Sequence, residues 1–231
     1  MGRKTTLRLA GAVVACALTL GNASAFALSK GDWLFRVRGI DVIPNDSSSE
    51  ITPPGGAAVK GSEVSVNSAA TVEGDITYMA TDSIGMELIV ANTRHTITDN
   101  GVATGPKVLG LSSDIIGVTD VLPPTLLVQY HFMHAGKIRP YVGFGVNGTV
   151  FYDTKSGING LGLKLDNSIG YAGQVGLDMD VTKHWFINLD LKYINLETKA
   201  KLINSSTGAT AYTTNVKINP WVVGLGIGTT F

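Results

Sequence analysis

From residue 31 to the end of the chain, apolar and polar side chains trade places at every second position in stretch after stretch, yet no apolar run there approaches 18 residues. Successive side chains of a strand point to opposite faces, so this pattern calls for strands with one apolar and one polar face and leaves no room for a spanning helix. Eight such stretches fall at about 31–43, 70–80, 84–93, 121–133, 138–152, 170–181, 185–193 and 215–231. The first sets Trp33, Phe35 and Val37 against Arg36 and Arg38, and the second sets Val72, Ile76 and Tyr78 against Glu73, Asp75 and Thr77. The seventh is the clearest, with Trp185, Ile187, Leu189, Leu191 and Tyr193 opposite Asn188, Asp190 and Lys192.

In water the apolar faces would form the core of a sandwich. Four features select lipid instead. Connections near 81–82, 135–136 and 182–183 are a few residues long, whereas those at 44–69, 94–120, 153–169 and 199–214 are long and polar. Short turns at one end and long loops at the other are the outer-membrane pattern, which places both termini on the periplasmic side. Trp185 and Tyr193 share a face eight residues apart. At about 3.3 Å rise and roughly 40° tilt they stand some 20 Å apart in height, matching two aromatic girdles. The chain closes on Phe231 after an alternating strand, a terminal signal for the barrel assembly machinery that is weakened by Thr229 where an aromatic is usual. An even number of strands also closes the sheet without an unpaired edge in lipid. The fold expected is all-β, an eight-stranded antiparallel transmembrane β-barrel with outer-membrane lipids as its surroundings. A composition that is apolar on average, with 28 Gly and only 16% charged residues, suits such a barrel.

Ahead of the alternation, Arg3, Lys4 and Arg8 precede a mostly apolar stretch from Leu9 to Leu20 and then Ala23-Ser24-Ala25. This is the order of a secretory signal peptide, too short to span a bilayer. The expected organisation is a signal over 1–25, cut after Ala25 or Ala27, and a barrel over 26–231. The single cysteine, Cys16, lies within the signal, so the mature chain has no thiol chemistry. Removing the signal leaves 15 basic against 18 acidic residues from an initial 18 against 18, a net charge of −3. A nucleic-acid partner, which would want a basic surface, is not expected.

Several blocks carry a likeness to a known family: 78–88 (YMATDSIGMEL), 122–127 (LPPTLL), 139–143 (RPYVG), 172–176 (AGQVG) and 220–222 (PWV). They resemble the OmpW family, AlkL-like members included, and lie on strands and short turns while the long loops diverge. The resemblance implies a monomeric eight-stranded barrel that passes small hydrophobic molecules across the outer membrane of a Gram-negative bacterium, and it does not identify the molecule.

The inward faces divide by height. Charged and polar positions gather low and midway: Arg36, Arg38, Glu87, Gln129, His131, Asp178, Asn188, Asp190 and Lys192. Buried charges of both signs must pair, and an eight-stranded barrel is only wide enough for side chains to fill. A salt-bridged plug is therefore expected. Nearer the loops the inward positions turn apolar, at Ile40, Val42, Ile89, Leu127, Ile194, Leu196 and Val222. A mouth that is apolar above a polar floor admits a hydrophobic ligand and blocks its straight descent. Pro123 and Pro124 lack the N–H that a ladder bond needs, which marks a seam for sideways release into the membrane. The other reading has the prolines simply ending a loop, and the mouth filled by packed side chains in a barrel that acts structurally or adhesively through its loops. Leu109, Leu111, Ile158, Leu161, Leu163 and Leu165 in the loops either line the entrance or pack.

Other motifs do not carry chemistry. Gly143, Gly145 and Gly148 match the spacing of a phosphate loop, but alternation runs straight through them where a helix would have to begin, so they make room in the lumen. His131 and His134, three apart in a strand, point to opposite faces and do not form a metal site. His95 alone lies near the outer leaflet, with no Ser and carboxylate to place beside it, so no enzyme is expected. No cofactor is expected either.

Overall fold

The computed structural model describes residues 27–99, 115–133 and 135–231. The expected signal, over 1–25, together with Leu109, Leu111 and His134, lies outside the described residues. Eight staves run up and down in chain order, most of them broken into a lower and an upper segment. They are β1 (Trp33–Ile43) with β2 (Ser47–Ser48); β3 (Val64–Val66) with β4 (Ala69–Met79); β5 (Ile84–Ala91) with β6 (Thr93–Asp99); and β7 (Ile115–Leu122) with β8 (Thr125–His131). The fifth is the unbroken β9 (Ile138–Ser156). The last three are β10 (Leu161–Leu165) with β11 (Ser168–Asp180), β12 (Trp185–Ile194) with β13 (Glu197–Asn204), and β14 (Thr210–Lys217) with β15 (Trp221–Thr230).

Each stave pairs antiparallel with its neighbours in sequence, and the first and last close the ring from Leu34↔Thr230 to Ile43↔Trp221. Closure leaves no free edge among the lower segments, which a hydrocarbon surrounding demands. The start of the first stave and the end of the last meet at the short-turn end, where Trp33 N–H donates to Phe231 O at 3.0 Å and Phe231 N–H to Trp33 O at 2.9 Å. The short turns are tight: Ala80 N–H reaches Ile84 O at 2.8 Å and Val181 N–H reaches Trp185 O at 2.9 Å.

The faces follow the alternation. Val37, Val128, Phe144, Val146 and Leu225 stand on the outer wall and their chain neighbours are buried or half-buried. Trp33 stacks obliquely on Tyr78 near the short turns, and Tyr171, Tyr193 and Trp221 make a chain of rings at the other rim. These are the two girdles.

The structure departs from the expected long loops. Much of 94–120, 153–169 and 199–214 is strand, and it carries the barrel on beyond the girdles. The seventh stave shows why. From Asn188 to Tyr193 its even positions are polar and inward (Asn188, Asp190, Lys192) and its odd positions apolar and outward. From Ile194 the same inward register carries Ile194, Leu196, Thr198, Ala200 and Leu202, all buried, while Glu197 and Lys199 face out. The phase is kept and the polarity inverts, because the outer surroundings change from hydrocarbon to water. Ile158, Leu163 and Leu165 pack into the apolar interior of this extension with Ile51 and Ile116, and Leu161 lies against it.

Candidate functional site

The lower lumen is filled. Cross-strand register sets Arg36 opposite Asp75 and Arg38 opposite Glu73 on the first and second staves. On the other flank both arginines face glycines, Gly228 and Gly226. A Cβ on Gly226 would lie 2.7 Å from Arg38 Cγ and 2.1 Å from Val37 O, so only glycine lets the arginine lie across the lumen. Arg36 bonds Asp178 (2.8 Å), Asp75 (3.1 Å) and the Thr77 hydroxyl (2.9 Å). Arg38 reaches Asp75 (2.5 Å), Glu73 (2.9 Å), Glu87 (3.4 Å), Asp190 (3.5 Å) and the Asn188 amide oxygen (3.0 Å). Lys192 Nζ donates to Glu73 Oε1 at 2.7 Å and to Asp190 Oδ1 at 2.6 Å.

Neutral groups complete the layer. Gln174 donates to Glu87 at 2.7 Å, Asn188 to Asp178 at 2.7 Å, and the Tyr141 hydroxyl to Asp190 at 3.1 Å. Toward the short turns, Arg139 pairs with Asp180, and the Arg36 and Arg139 guanidinium groups both lie over the Phe186 ring. His131 sits against Tyr141 with Nε2 3.2 Å from Gln129 Oε1. Arg36, Arg38, Glu87, Gln129, His131, Asp178 and Lys192 are all 0–1% exposed. At such burial an unpaired charge costs several kcal/mol, so the density of partners is what makes the layer tolerable.

Every polar position expected in the lumen from the sequence lies in this plug. Glu73, Asp75, Arg139, Tyr141 and Asp180 belong to it too. Parity alone could have assigned them, since each is on the inward register of its stretch. Gly143 fits the reading that the glycines make room: a Cβ there would come within 2.9 Å of Gln174 Cγ.

Above the plug lies an apolar vestibule. Ile40, Val42, Ile89, Ile194, Leu196 and Val222 line it, joined by Val121, Pro123, Phe151, Ile218 and others, with Glu73 and Lys192 as the charged residues at its base. Leu127 differs: it is buried in the same apolar cluster without reaching the cavity surface. Its register partners are Glu87 and Gly145, which keep it level with the plug. The cavity volume of the vestibule is about 60 Å³. A second, smaller apolar cleft, lined by Ile51, Val64, Ile97, Ile116 and Leu202 among others, continues it into the extension. His95 in the vestibule wall bonds Asn67 O (2.8 Å) and the Thr93 hydroxyl (3.0 Å). Burial holds its imidazole below the usual histidine range.

The prolines sit in a gap in the ladder. Register runs from Ile84↔Tyr130 to Ile89↔Thr125, then resumes at Thr93↔Val121. Residues 90–92 and 122–124 between them are unpaired in that ladder. The carbonyl of Pro123 turns inward and accepts from Thr125 Oγ1 (3.0 Å) and Asn147 Nδ2 (3.2 Å) rather than from the facing strand. Pro124 O still accepts from Gly148 N–H at 2.9 Å, so the gap opens only toward the third stave. On the outer face Tyr152 reaches across the fourth stave and donates to Asn92 Oδ1 at 2.7 Å.

A closed eight-stranded antiparallel barrel, with apolar side chains outward, a charge-filled lower lumen and an apolar chamber above, defines a small outer-membrane barrel of the Gram-negative kind. The chain belongs to the OmpW family, whose model matches residues 29–231; the membrane barrels of this family are not enzymes. It is 39% identical over 211 residues to outer membrane protein W of Vibrio cholerae, covering 88% of this chain and 90% of that protein. The crystal structure of OprG from Pseudomonas aeruginosa superposes with a TM-score of 0.78 at 32% identity, covering 89% of this chain and 98% of that one. AlkL of Ectopseudomonas oleovorans is 26% identical over 214 residues, covering 90% of this chain and 86% of that protein.

Proposed function

We propose that this barrel takes up small hydrophobic molecules at its loop end, outside the cell, and releases them sideways into the outer membrane. In this reading residues 1–25 serve export, both termini face the periplasm, and Phe231, whose ring sits on the outer wall edge-on to Phe35, addresses the chain to the assembly machinery. The observation that carries the proposal is the conjunction of three features: an apolar chamber, a break in the wall beside Pro123, which lines that chamber, and a sealed floor beneath. Straight descent meets the Arg36 and Arg38 layer, in which no side chain can leave without uncovering a charge. Sideways, the ladder between residues 90–92 and 122–124 has no pairs to break.

The energetics need no input. Each CH₂ moved from water into the vestibule gains about 0.8 kcal/mol, so a six-carbon chain gains about 5 kcal/mol. Hydrocarbon on the lipid side offers the same environment, so the step outward is close to neutral and the concentration gradient drives it. Replacing both Pro123 and Pro124 with valine restores two backbone donors, the one at 123 on the side of the third stave and the one at 124 on the side of Gly148. Cells carrying that variant are expected to take up a labelled alkane at well below the rate of the parent at equal barrel abundance, judged by heat-modifiable migration. Undiminished uptake would overturn lateral release.

A further inference from the structure

The base of the vestibule differs from its walls. Glu73 and Lys192 are its charged lining residues, each nearly buried, under a chamber walled by Ile40, Ile89, Ile194 and Val222. Glu73 uses one oxygen only. Oε1 accepts from Lys192 Nζ at 2.7 Å and lies 2.9 Å from Arg38 Nε, while Oε2 accepts no hydrogen bond from the described residues. Lys192 spends two of its three N–H donors, on Glu73 and Asp190. An ammonium carries three donors and a carboxylate about four acceptor sites. The floor therefore keeps one donor and one acceptor in hand, side by side at the bottom of an apolar shaft, and a purely hydrocarbon ligand would leave both unmet.

We infer that this couple is a head-group site and that the vestibule takes amphipathic ligands with one apolar chain and a terminal hydroxyl, that is, primary alcohols, bound head down. The inference rests on the uptake reading above and gives it a ligand class. A hydroxyl both donates and accepts, so it meets Glu73 Oε2 and the third Lys192 proton together. A carboxylate can only accept, and it would arrive beside Glu73 and Asp190, which Arg38 and Lys192 already pair. The lumen as a whole holds Arg36, Arg38, Arg139 and Lys192 against Glu73, Asp75, Glu87, Asp178, Asp180 and Asp190, an excess of carboxylates that repels a further anion.

The test is binding, measured on the full barrel in lipid nanodiscs from the amide and side-chain NMR shifts of Glu73 and Lys192, with 1-octanol, n-octane and octanoate as probes at neutral pH. The wild type is expected to prefer octanol over both others by about ten-fold, the scale of one hydrogen bond to a charged group. Glu73→Gln turns the free acceptor into a donor amide and removes a negative charge, so octanoate should gain about ten-fold and the preference for octanol should vanish. That gain cannot come from a misfolded barrel. Equal binding of the three probes in the wild type, or no gain of octanoate in Glu73→Gln, overturns the head-group site while leaving the vestibule in place. Absence of binding by all three probes overturns the head-group site and the vestibule reading with it. The proline variant tests lateral exit separately, because binding does not require it.

Discussion

Replacing Arg38 with methionine keeps most of the side-chain volume and removes the charge at the centre of the plug. Four carboxylates lie within 3.5 Å of that guanidinium: Asp75, Glu73, Glu87 and Asp190. Breaking one partner out of a buried ion pair costs about 3–5 kcal/mol. Here each stranded carboxylate retains a second cation, Arg36 for Asp75 and Glu87, Lys192 for Glu73 and Asp190. The loss should therefore sit near the lower end, about 3 kcal/mol, which is over a hundred-fold in the unfolding equilibrium. Urea unfolding in lipid vesicles, followed by the fluorescence of Trp33, Trp185 and Trp221, reads it directly. Adding Glu73→Gln removes the carboxylate directly across the strand from Arg38, so the double variant should lose less than the sum of the two singles by about 1 kcal/mol or more. A cost under about 1 kcal/mol for Arg38→Met, or strict additivity in the double variant, would refute the description of the plug as a network of mutually paired charges.

Three further outcomes are expected. Gly176→Val puts a side chain where a Cβ already lies 2.1 Å from the Tyr141 ring, and overpacking of that kind costs about 1–3 kcal/mol; Gly74→Ala, with nothing within 4 Å, should leave the same unfolding curve unchanged. Tyr152→Phe removes the hydrogen bond to Asn92 that spans the ladder gap, and at about 0.5–1.5 kcal/mol for such a bond uptake of a labelled alkane should rise roughly two- to ten-fold; an unchanged rate would mean the bond does not hold the seam. His95, in the extension beyond the girdles, is held neutral by burial and titrates below its ordinary 6.5. As pH falls through 6.5 the unfolded form binds a proton before the folded one does, so stability falls on acidification across that window. His95→Gln should flatten this dependence in hydrogen exchange of β6, and an unaltered pH profile would remove His95 as its source.

Much of this was legible in the order of residues. Alternation at period two located all eight staves in the lipid zone, and parity placed Arg36, Arg38, Glu87, Asp178 and Lys192 inward before any contact was known. The same parity would have placed Arg139 and Asp180 inward, because a strand's facing is a local property that needs no partner. The extension was less legible. In 197–204 the alternation continues but its sense inverts, with Ala200 and Leu202 inward and Glu197 and Lys199 outward, while 93–99 buries Thr93, His95 and Asp99 with Ile97 as its one apolar inward residue; an apolar face read as the lipid face finds nothing in either.

What the chain order determined by itself is thus the set of faces, the even count of strands, the apolar turn in the inward register near Ile194 and the missing N–H groups of Pro123 and Pro124. Only the closed barrel decided which residues meet. Arg38 and Asp190 are distant in sequence and on different staves, and it takes the ring closure from Leu34↔Thr230 to Ile43↔Trp221 to bring them within 3.5 Å. The unspent oxygen of Glu73, the gap facing residues 90–92 and the inward turn of the Pro123 carbonyl likewise depend on shear and register between strands. Those are set by packing across the whole circumference, so no local stretch of sequence encodes them.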